Sequence, residues 1–261
     1  MFLGSSRLSQ VCLNAFLDSK EYGKAFEIVA LVSNEDFASI AAKSFGSKLT
    51  PKLIDCESRN ESAIEEAVKN LDVTLIFSAQ HPWVLSKSLL YLVGGRAINL
   101  HNAQLPNYKG HNTIAHELMN GESWHEATLH WMAEGVDEGA TVYTSRIGIE
   151  KHDTALTVYR KSLTIIPILV EQLIVAISKD KIPIGKIPNG RHEYYSKNSL
   201  DSIQEIPPDV GADYLERISR ALFFPPFEPA FFRTGQKKVF VIPELEYETY
   251  FTSFDCENYP S

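Results

Sequence analysis

Cysteine is scarce in this chain of 261 residues, and the three that occur stand far apart. Cys12, Cys56 and Cys256 form no C-x-x-C pair or metal-finger spacing, and such scattered thiols are typical of a reducing cytosol. The N-terminus also lacks the basic, apolar and small-residue order of a secretory signal peptide. We therefore expect a cytoplasmic protein.

Basic charge and long apolar runs are lacking as well. Lysine and arginine number 25 against 33 aspartate and glutamate residues, which gives a net charge of −8. Proteins that bind nucleic acid normally carry a basic patch or domain, so no large nucleic-acid interface is expected. A membrane-spanning helix needs about 18 consecutive apolar residues, and no uninterrupted run of that length is present. The composition, 44% hydrophobic and 22% charged, is that of an ordinary globular protein.

The first hundred residues alternate between strand-like and helix-like segments. After a short apolar run at 2–3, strands are predicted at residues 27–32, 48–54, 73–77 and 97–100. Helices are predicted between them at residues 9–17, 36–45, 60–70 and 86–93, and Asn60 is the predicted N-cap of the third. This alternation predicts an α/β fold with an open, mostly parallel, Rossmann-like sheet and right-handed crossovers. Ligands bind at the carboxyl ends of the strands in such sheets.

The middle of the chain reads differently. Strands are predicted at 127–132 and 140–149, on either side of a turn. Asp153 and Thr154 then precede a long amphipathic helix, which Pro167 should kink or interrupt.

The composition changes again after that helix. Residues 179–191 are rich in proline, glycine and lysine and are predicted to be a linker. We therefore divide the chain into a principal domain at 1–178, this linker, and a small C-terminal α+β subdomain at 192–261. Within the subdomain a helix is predicted at 212–222 and a strand at 238–242.

The most informative pattern is an Asn-x-His at the end of the predicted strand 97–100. Side chains alternate along a strand, so Asn99 and His101 project to the same side while Leu100 faces the core. The later turn Gly-Val-Asp-Glu-Gly supplies Asp137. An amide and a charged imidazole can stabilise a developing oxyanion, and a carboxylate can orient or charge the histidine or accept a proton. These residues predict an acyl-transfer site.

Each element alone also has a structural explanation. An isolated Asn-x-His is usually a satisfied turn, and Asp-Glu-Gly is a common loop. Several histidines suggest a metal site, but no His-Glu-x-x-His spacing occurs, so structural or surface roles are favoured for His111, His116, His125 and His130. The segment Gly4-Ser5-Ser6 is a weak dinucleotide signature because it lacks Gly-x-Gly-x-x-Gly.

Ordered elements between Ile98 and Val142 resemble the catalytic core of the folate-dependent formyltransferases. They are the Asn-x-His, the loop Leu-Pro-x-Tyr-Lys-Gly, Asn-Gly-Glu, the strand Thr-Leu-His and the turn Asp-Glu-Gly. That family includes methionyl-tRNA formyltransferase, glycinamide ribonucleotide formyltransferase and the sugar N-formyltransferases. The resemblance extends more faintly over most of the first 178 residues. It implies the formyltransferase fold for the principal domain, 10-formyltetrahydrofolate as co-substrate, a primary amine as acceptor and no metal.

The resemblance also implies roles for individual residues. Asn99, His101 and Asp137 match the catalytic triad of the family. The loop that lies against the folate matches Ala103, Gln104, Leu105 and Pro106. The loop that contacts the pterin matches residues 78–85, with Ser78, Gln80, Trp83 and Leu85 as candidate cofactor contacts. Val136 matches the other wall of the pterin pocket.

Two further residues are candidate contacts to the acceptor substrate. Lys109 can pair with a phosphate, although surface lysines usually serve solubility. Phe224 belongs to the aromatic and proline-rich run 223–232, which either stacks on a nucleotide base or packs in the core or in a subunit interface.

The segments around the core bear on which acceptor is used. In the resembled family, the tRNA enzymes carry a sizeable basic C-terminal barrel, and the glycinamide ribonucleotide enzymes usually stop near the end of the long helix. This acidic chain with a short appendage best fits the sugar N-formyltransferases. These act on nucleotide-linked amino sugars, such as dTDP- or GDP-4-amino-4,6-dideoxy sugars made for surface polysaccharides. A methionyl-tRNA formyltransferase and a non-catalytic folate or nucleotide-sugar binding module are the alternatives, and the apolar subdomain predicts a homodimer.

Overall fold

The computed structural model describes residues 1–56 and 59–246. Its strands are β1 (Phe2–Leu3), β2 (Ala30–Ser33), β3 (Lys52–Asp55), β4 (Ile76–Ala79), β5 (Ala97–His101), β6 (Lys109–Gly110), β7 (Trp124–Trp131), β8 (Thr141–Gly148), β9 (Tyr194–Tyr195), β10 (Phe231–Thr234) and β11 (Lys237–Phe240). Its helices are α1 (Arg7–Asp18), α2 (Glu35–Phe45), α3 (Glu61–Asn70), α4 (Lys87–Leu92), α5 (Thr113–Met119), α6 (Ala155–Ser178), α7 (Asp201–Gln204) and α8 (Ala212–Ala221).

The main sheet has seven strands in the order β3-β2-β1-β4-β5-β7-β8. Its strands are parallel from β3 to β5, and β7 pairs antiparallel with β5. The predicted α/β class with an open, mostly parallel sheet is therefore confirmed. The chain moves outward from β1 to β3 and then returns to β4 on the other side of β1. Such a change of direction opens a crevice at the carboxyl ends of the strands, where ligands of open α/β sheets bind.

Local sequence signals explain how the helices begin. Ser6 and Ser9 form a reciprocal capping box at α1, with each backbone N–H donating to the hydroxyl of the other residue at 3.1 and 3.2 Å. Ser9 also donates to the carbonyl of Ala79 at 2.7 Å, and a Cβ on Gly4 would clash with both. The Gly4-Ser5-Ser6 segment is thus explained by capping and close packing. Asn60 caps α3, as predicted from the sequence.

Alternating side chains let the sheet bury both of its faces. On one face Phe2 stacks on Phe77 at 5.5 Å, and both rings lie against Phe16 of α1. On the other face the buried cluster includes Leu3, Val32, Ile76 and Ala97 together with apolar residues of α3 and α4. Each fully buried side chain of this size contributes roughly 1.5–3 kcal/mol. In the Asn-x-His strand β5 itself, Ala97, Ile98 and Leu100 are buried, so this strand is packed on both faces of the sheet.

The structure corrects several predicted boundaries. Strands β2, β3 and β4 begin three or four residues later than predicted, because apolar residues in the preceding loops extend the hydrophobic runs. For example, Val73 does not start β4, and its N–H instead donates to Val68 at the end of α3. Helix α6 runs through Pro167 without the interruption considered from the sequence.

Helix α6 is long and apolar enough to span a membrane by length and composition, and it alone meets that test within the described residues. The core helix of a water-soluble protein meets the same test. Ile166, Leu169, Val170 and Leu173 of α6 are fully buried inside the protein, which is typical of a core helix.

The chain divides into two compact units. The first consists of Met1–Lys109, Glu126–Ile147 and Ser162–Glu193, and the second of Gly110–His125, Gly148–Lys161 and the described residues from Tyr194 onward. Within the second unit α5 packs on α8, and β10 pairs antiparallel with β11. This small C-terminal sheet agrees with the predicted α+β character. The predicted boundaries at 178 and 191 stay predictions.

Candidate active site

A row of polar side chains crosses three neighbouring strands of the first unit. Asn99 on β5 pairs with Ser78 on β4 and with His130 on β7. Residues in register on adjacent strands point to the same face of a sheet. Asn99 is half-buried, whereas Ser78 and His130 are buried. The strand order therefore places an amide between a hydroxyl and an imidazole.

Asn99 contacts His130 through its side-chain amide. Its Nδ2 lies 3.2 Å from His130 Nε2. The other ring nitrogen of His130, Nδ1, donates to the backbone carbonyl of Trp131 at 2.9 Å. From the sequence a structural or surface role is favoured for His130, and the resemblance leaves a supporting role at the site open; the structure places its ring beside Asn99.

His101 is held at both ring nitrogens. Its Nε2 donates to the carbonyl oxygen of Tyr108 at 2.6 Å, and its Nδ1 lies 3.4 Å from Asp137 Oδ2. A carbonyl oxygen only accepts, so Nε2 carries a hydrogen. A ring with hydrogens on both nitrogens can donate to both oxygens. The side chains of His101 and Asp137 are 10% and 9% exposed, so water hardly competes for these contacts.

Asp137 lies between two imidazoles. Its Oδ1 is 3.4 Å from His130 Nε2, whereas its other oxygen, Oδ2, contacts His101. Its backbone has a φ of 54°, in the left-handed region that aspartate tolerates better than most residues. Two residues later, a Cβ on Gly139 would collide with the carbonyl of Trp131. The Asp-Glu-Gly turn is thus shaped to bring Asp137 to the histidines.

The next residues of the same two segments form an ion pair. Lys109 Nζ lies 3.0 Å from Glu138 Oε1, and the Lys109 side chain is 8% exposed while that of Glu138 is 54% exposed. The ammonium predicted to meet a phosphate is therefore buried against a carboxylate. Its phosphate role stays a prediction.

The predicted folate-contacting residues all lie in the first unit. Ala103, Leu105 and Pro106 are buried, and Gln104 and Val136 are half-buried. The hydroxyl of Thr128 donates to the carbonyl of Ala103 at 2.8 Å and holds this loop to β7. In the other loop Ser78 and Leu85 are buried and Gln80 is exposed. Trp83 donates its Nε1–H to the carbonyl of Cys56 at 2.9 Å.

Two concave sites adjoin these loops. Leu105 forms one wall of an open groove that is also lined by Thr141, Val142, Pro183 and Pro188. Within the described residues the buried hydroxyl oxygen of Thr141 has no hydrogen-bond partner. Trp83 and Leu85 line a smaller, narrower pocket together with His81, Arg59 and Glu61. Burial lowers the pKa of His81 to about 4.

Phe224 belongs to the second unit. There its ring packs edge-on against Tyr159 at 5.3 Å between ring centres and lies 6.0 Å from Phe227. The structure thus gives Phe224 aromatic packing partners, and its stacking on a nucleotide base stays a prediction.

Two other histidines have structural partners. His125 is fully buried with its Nδ1 2.6 Å from Glu117 Oε2, and His116 Nε2 lies 2.8 Å from the hydroxyl of Ser199. Within the described ranges 1–56 and 59–246, no three or more histidine, cysteine, aspartate or glutamate side chains are grouped so that they could hold a metal ion.

The chain is similar to known proteins in sequence and in fold. The sequence profile of the family described as "Formyl transferase" matches residues 2–170. A GDP-perosamine N-formyltransferase of Brucella melitensis is 29% identical over 187 residues, which cover 72% of this chain and 71% of that protein.

Solved structures share the fold. A 4-N formyltransferase from Francisella tularensis aligns with a TM-score of 0.74 and 21% identity, over 92% of this chain and 96% of that one. An N-formyltransferase from Helicobacter canadensis, in complex with folinic acid and dTDP-3-aminofucose, aligns with a TM-score of 0.70 and 19% identity, over 91% and 84%. The family match covers most of the described first unit, including Asn99, His101 and Asp137. The chain belongs to the formyl transferase family.

Proposed function

We propose that the protein transfers the formyl group of 10-formyltetrahydrofolate to the primary amine of a nucleotide-linked amino sugar. The observation that carries the proposal is the cluster of Asn99, His101 and Asp137 at the carboxyl end of β5, in a chain of the formyl transferase family. The sugar N-formyltransferases among its relatives support this choice of acceptor.

The first unit suits binding of the formyl donor, 10-formyltetrahydrofolate, whose flat pterin ring has apolar faces and polar edges. We propose that Ala103, Gln104, Leu105 and Pro106 form one wall of its site, and that Val136 contributes to the other. The groove beside Leu105 combines apolar walls with the unpartnered hydroxyl oxygen of Thr141, which supports this assignment. Ser78, Gln80, Trp83 and Leu85 are the proposed contacts from the other loop. The folate supplies an activated formyl carbon when it is bound.

Asn99 is the proposed donor to the formyl oxygen. As the neutral amine attacks the formyl carbon, negative charge develops on that oxygen. One such donor is typically worth about 3–4 kcal/mol in the transition state. One N–H of Asn99 Nδ2 is directed at His130, which leaves the second available to the oxygen.

His101 and Asp137 are the proposed proton acceptor. The attacking amine loses a proton, and a proton must reach the leaving nitrogen. His101 Nε2 already donates to the carbonyl of Tyr108, so the amine proton is accepted either by the Asp137 carboxylate or by Nδ1 of a neutral His101 ring. The sequence also predicts that His101 stabilises the oxyanion. For this, either the His101 ring rotates so that its Nε2–H leaves the carbonyl of Tyr108, or Nε2–H is shared between that carbonyl and the formyl oxygen.

Further proposals concern the setting of the enzyme. We propose a cytoplasmic homodimer, active in polysaccharide biosynthesis, that binds neither membranes nor nucleic acid. The exposed side chains of Phe227, Val239 and Phe240 in the second unit support a subunit interface. The acidic net charge argues against a nucleic-acid partner.

We also propose a division of the chain into a catalytic domain at 1–178, a linker at 179–191 and a subdomain at 192–261. Lys109 and Phe224 are the proposed contacts to the acceptor.

A transfer assay by mass spectrometry tests the proposed function. The purified chain is incubated with 10-formyltetrahydrofolate and a panel of dTDP- and GDP-linked amino sugars, with initiator methionyl-tRNA in a parallel reaction. We expect one sugar to gain a formyl group while the tRNA stays unchanged. Transfer to the tRNA alone would instead favour a methionyl-tRNA formyltransferase. Folate binding without transfer to any acceptor would contradict the proposal and favour a binding module.

A further inference from the structure

We infer that His130 is a positioning residue that fixes the orientation of the Asn99 amide. Its Nε2 accepts one N–H of Asn99 and so directs the second N–H toward the reacting oxygen. The catalytic consequence rests on the proposed function, whereas the hydrogen bond can be tested without it.

The tautomer of His130 follows from its backbone contact. Nδ1 lies 2.9 Å from the carbonyl oxygen of Trp131, and that oxygen can only accept. Nδ1 therefore carries the hydrogen, and in a neutral ring Nε2 is left with a lone pair. The His130 side chain is 3% exposed, so bulk water hardly reaches that lone pair.

The lone pair of His130 decides which way the Asn99 amide points. The two ends of an asparagine amide are similar in shape, but only the nitrogen can donate. Nδ2 lies 3.2 Å from His130 Nε2, so the amide nitrogen faces the imidazole. If the amide turned over, Asn99 Oδ1 would face the lone pair of His130 Nε2, and these two electron-rich atoms would repel each other. The neutral Nδ1–H tautomer of His130 therefore selects one of two orientations.

Asp137 is the competing partner for Nε2. Its Oδ1 lies 3.4 Å from that nitrogen, farther than Asn99 Nδ2 at 3.2 Å, and a carboxylate oxygen cannot donate to a lone pair. Its Oδ2 faces His101. The shorter contact assigns Nε2 to Asn99 and leaves Asp137 to the other histidine.

Histidine NMR tests the hydrogen bond directly in the full chain. In a ¹⁵N-histidine spectrum at neutral pH, His130 should be the Nδ1–H tautomer. In Asn99→Ala the Nε2 signal of His130 should shift toward the position of an imidazole nitrogen that accepts no hydrogen bond, because the amide donor is gone. Ser199→Ala is the matched control, because Ser199 contacts His116 Nε2 and should move only the His116 signal. An Nε2–H tautomer of His130, or an Nε2 signal that is unchanged in Asn99→Ala, would overturn the inference.

Kinetics of formyl transfer test the consequence. His130→Leu removes the acceptor and should lower kcat about 10–100-fold, part of the about 10²–10³-fold that a whole oxyanion donor supplies. KM for both substrates should change less than about twofold. His130→Gln provides a side-chain oxygen that can accept from Asn99, so it should recover most of the lost kcat. Thermal unfolding of both variants checks that they fold.

A double-mutant cycle separates positioning from a general structural effect. In the Asn99→Ala background, His130→Leu should cause little further loss of kcat, because the amide to be oriented is gone. Losses that multiply independently would refute the positioning role, as would full activity of His130→Leu. Wild-type protein that transfers no formyl group would count against the proposed function alone, since the NMR result decides the hydrogen bond separately.

Discussion

The ion pair of Lys109 and Glu138 should respond very differently to removal of its two members. The Lys109 side chain is 8% exposed, whereas that of Glu138 is 54% exposed. Glu138→Gln leaves a buried ammonium without its carboxylate. Lys109→Met leaves a carboxylate that water can already reach, and methionine fills much of the volume of the lysine stem. We therefore expect Glu138→Gln to be the more destabilising change.

The size of the difference follows from the burial of each partner. Breaking a fully buried ion pair by removing one partner costs about 3–5 kcal/mol, and an exposed pair contributes about 0–1 kcal/mol. Because one member of this pair is buried and the other is half in water, we expect Glu138→Gln to lower the free energy of unfolding by about 2–3 kcal/mol. Lys109→Met should lower it by less than about 1 kcal/mol.

Urea unfolding of the two single variants and the double variant measures this asymmetry. In thermal unfolding of a chain of this size, Glu138→Gln should also lower Tm by roughly 5–10 °C. The double variant should resemble Lys109→Met, because it contains no unpaired buried charge. Equal destabilisation by the two single variants would refute the reasoning. A large rise in the KM for the nucleotide sugar in Lys109→Met would separately support the proposed contact of Lys109 with the acceptor.

Three further changes test the site and its supports. His101→Asn should lower kcat about 10²–10³-fold with folate affinity preserved, measured by steady-state kinetics and a binding titration; full activity would contradict the assigned chemistry. Gly139→Ala should destabilise the protein in thermal unfolding and lower activity, because the added methyl group collides with the carbonyl of Trp131; an unchanged Tm would contradict this. Burial lowers the pKa of His81 from 6.5 to about 4, so below pH 6.5 the unfolded chain takes up a proton that the folded protein does not. The free energy of unfolding should therefore fall as pH falls from 6.5 toward 4, and His81→Gln should show a shallower fall in urea titrations.

The sequence predicted the fold well where periodicity and helix caps agree. The alternation before residue 100, the Asn60 cap and the strand of Asn99 and His101 are all found in the structure. The starts of β2 to β4 were misplaced because apolar side chains continue into the preceding loops. Pro167 does not interrupt α6, because the burial of residues such as Leu169 and Leu173 outweighs the cost of about 3 kcal/mol for an internal proline.

The contacts between site residues depend on pairings that the sequence does not reveal. His130 reaches Asn99 only because β7 pairs antiparallel with β5 in one register. A slip of one residue would turn His130 to the other face of the sheet. The Tyr108 carbonyl that holds His101 likewise lies in a loop whose path the sequence leaves open. The polar residue types of the site were therefore predictable, and their partners were not.

Transfer of a ¹³C-labelled formyl group tests the central claim most directly. Wild type, Asn99→Ala and Asp137→Asn are compared with the same labelled donor and the nucleotide amino sugar selected in the panel, and labelled product is counted by mass spectrometry. The account predicts labelled sugar from wild type and at least about a hundredfold less product per unit time from each variant, with folded protein in all three samples. Equal labelling by wild type and by both variants would contradict the account.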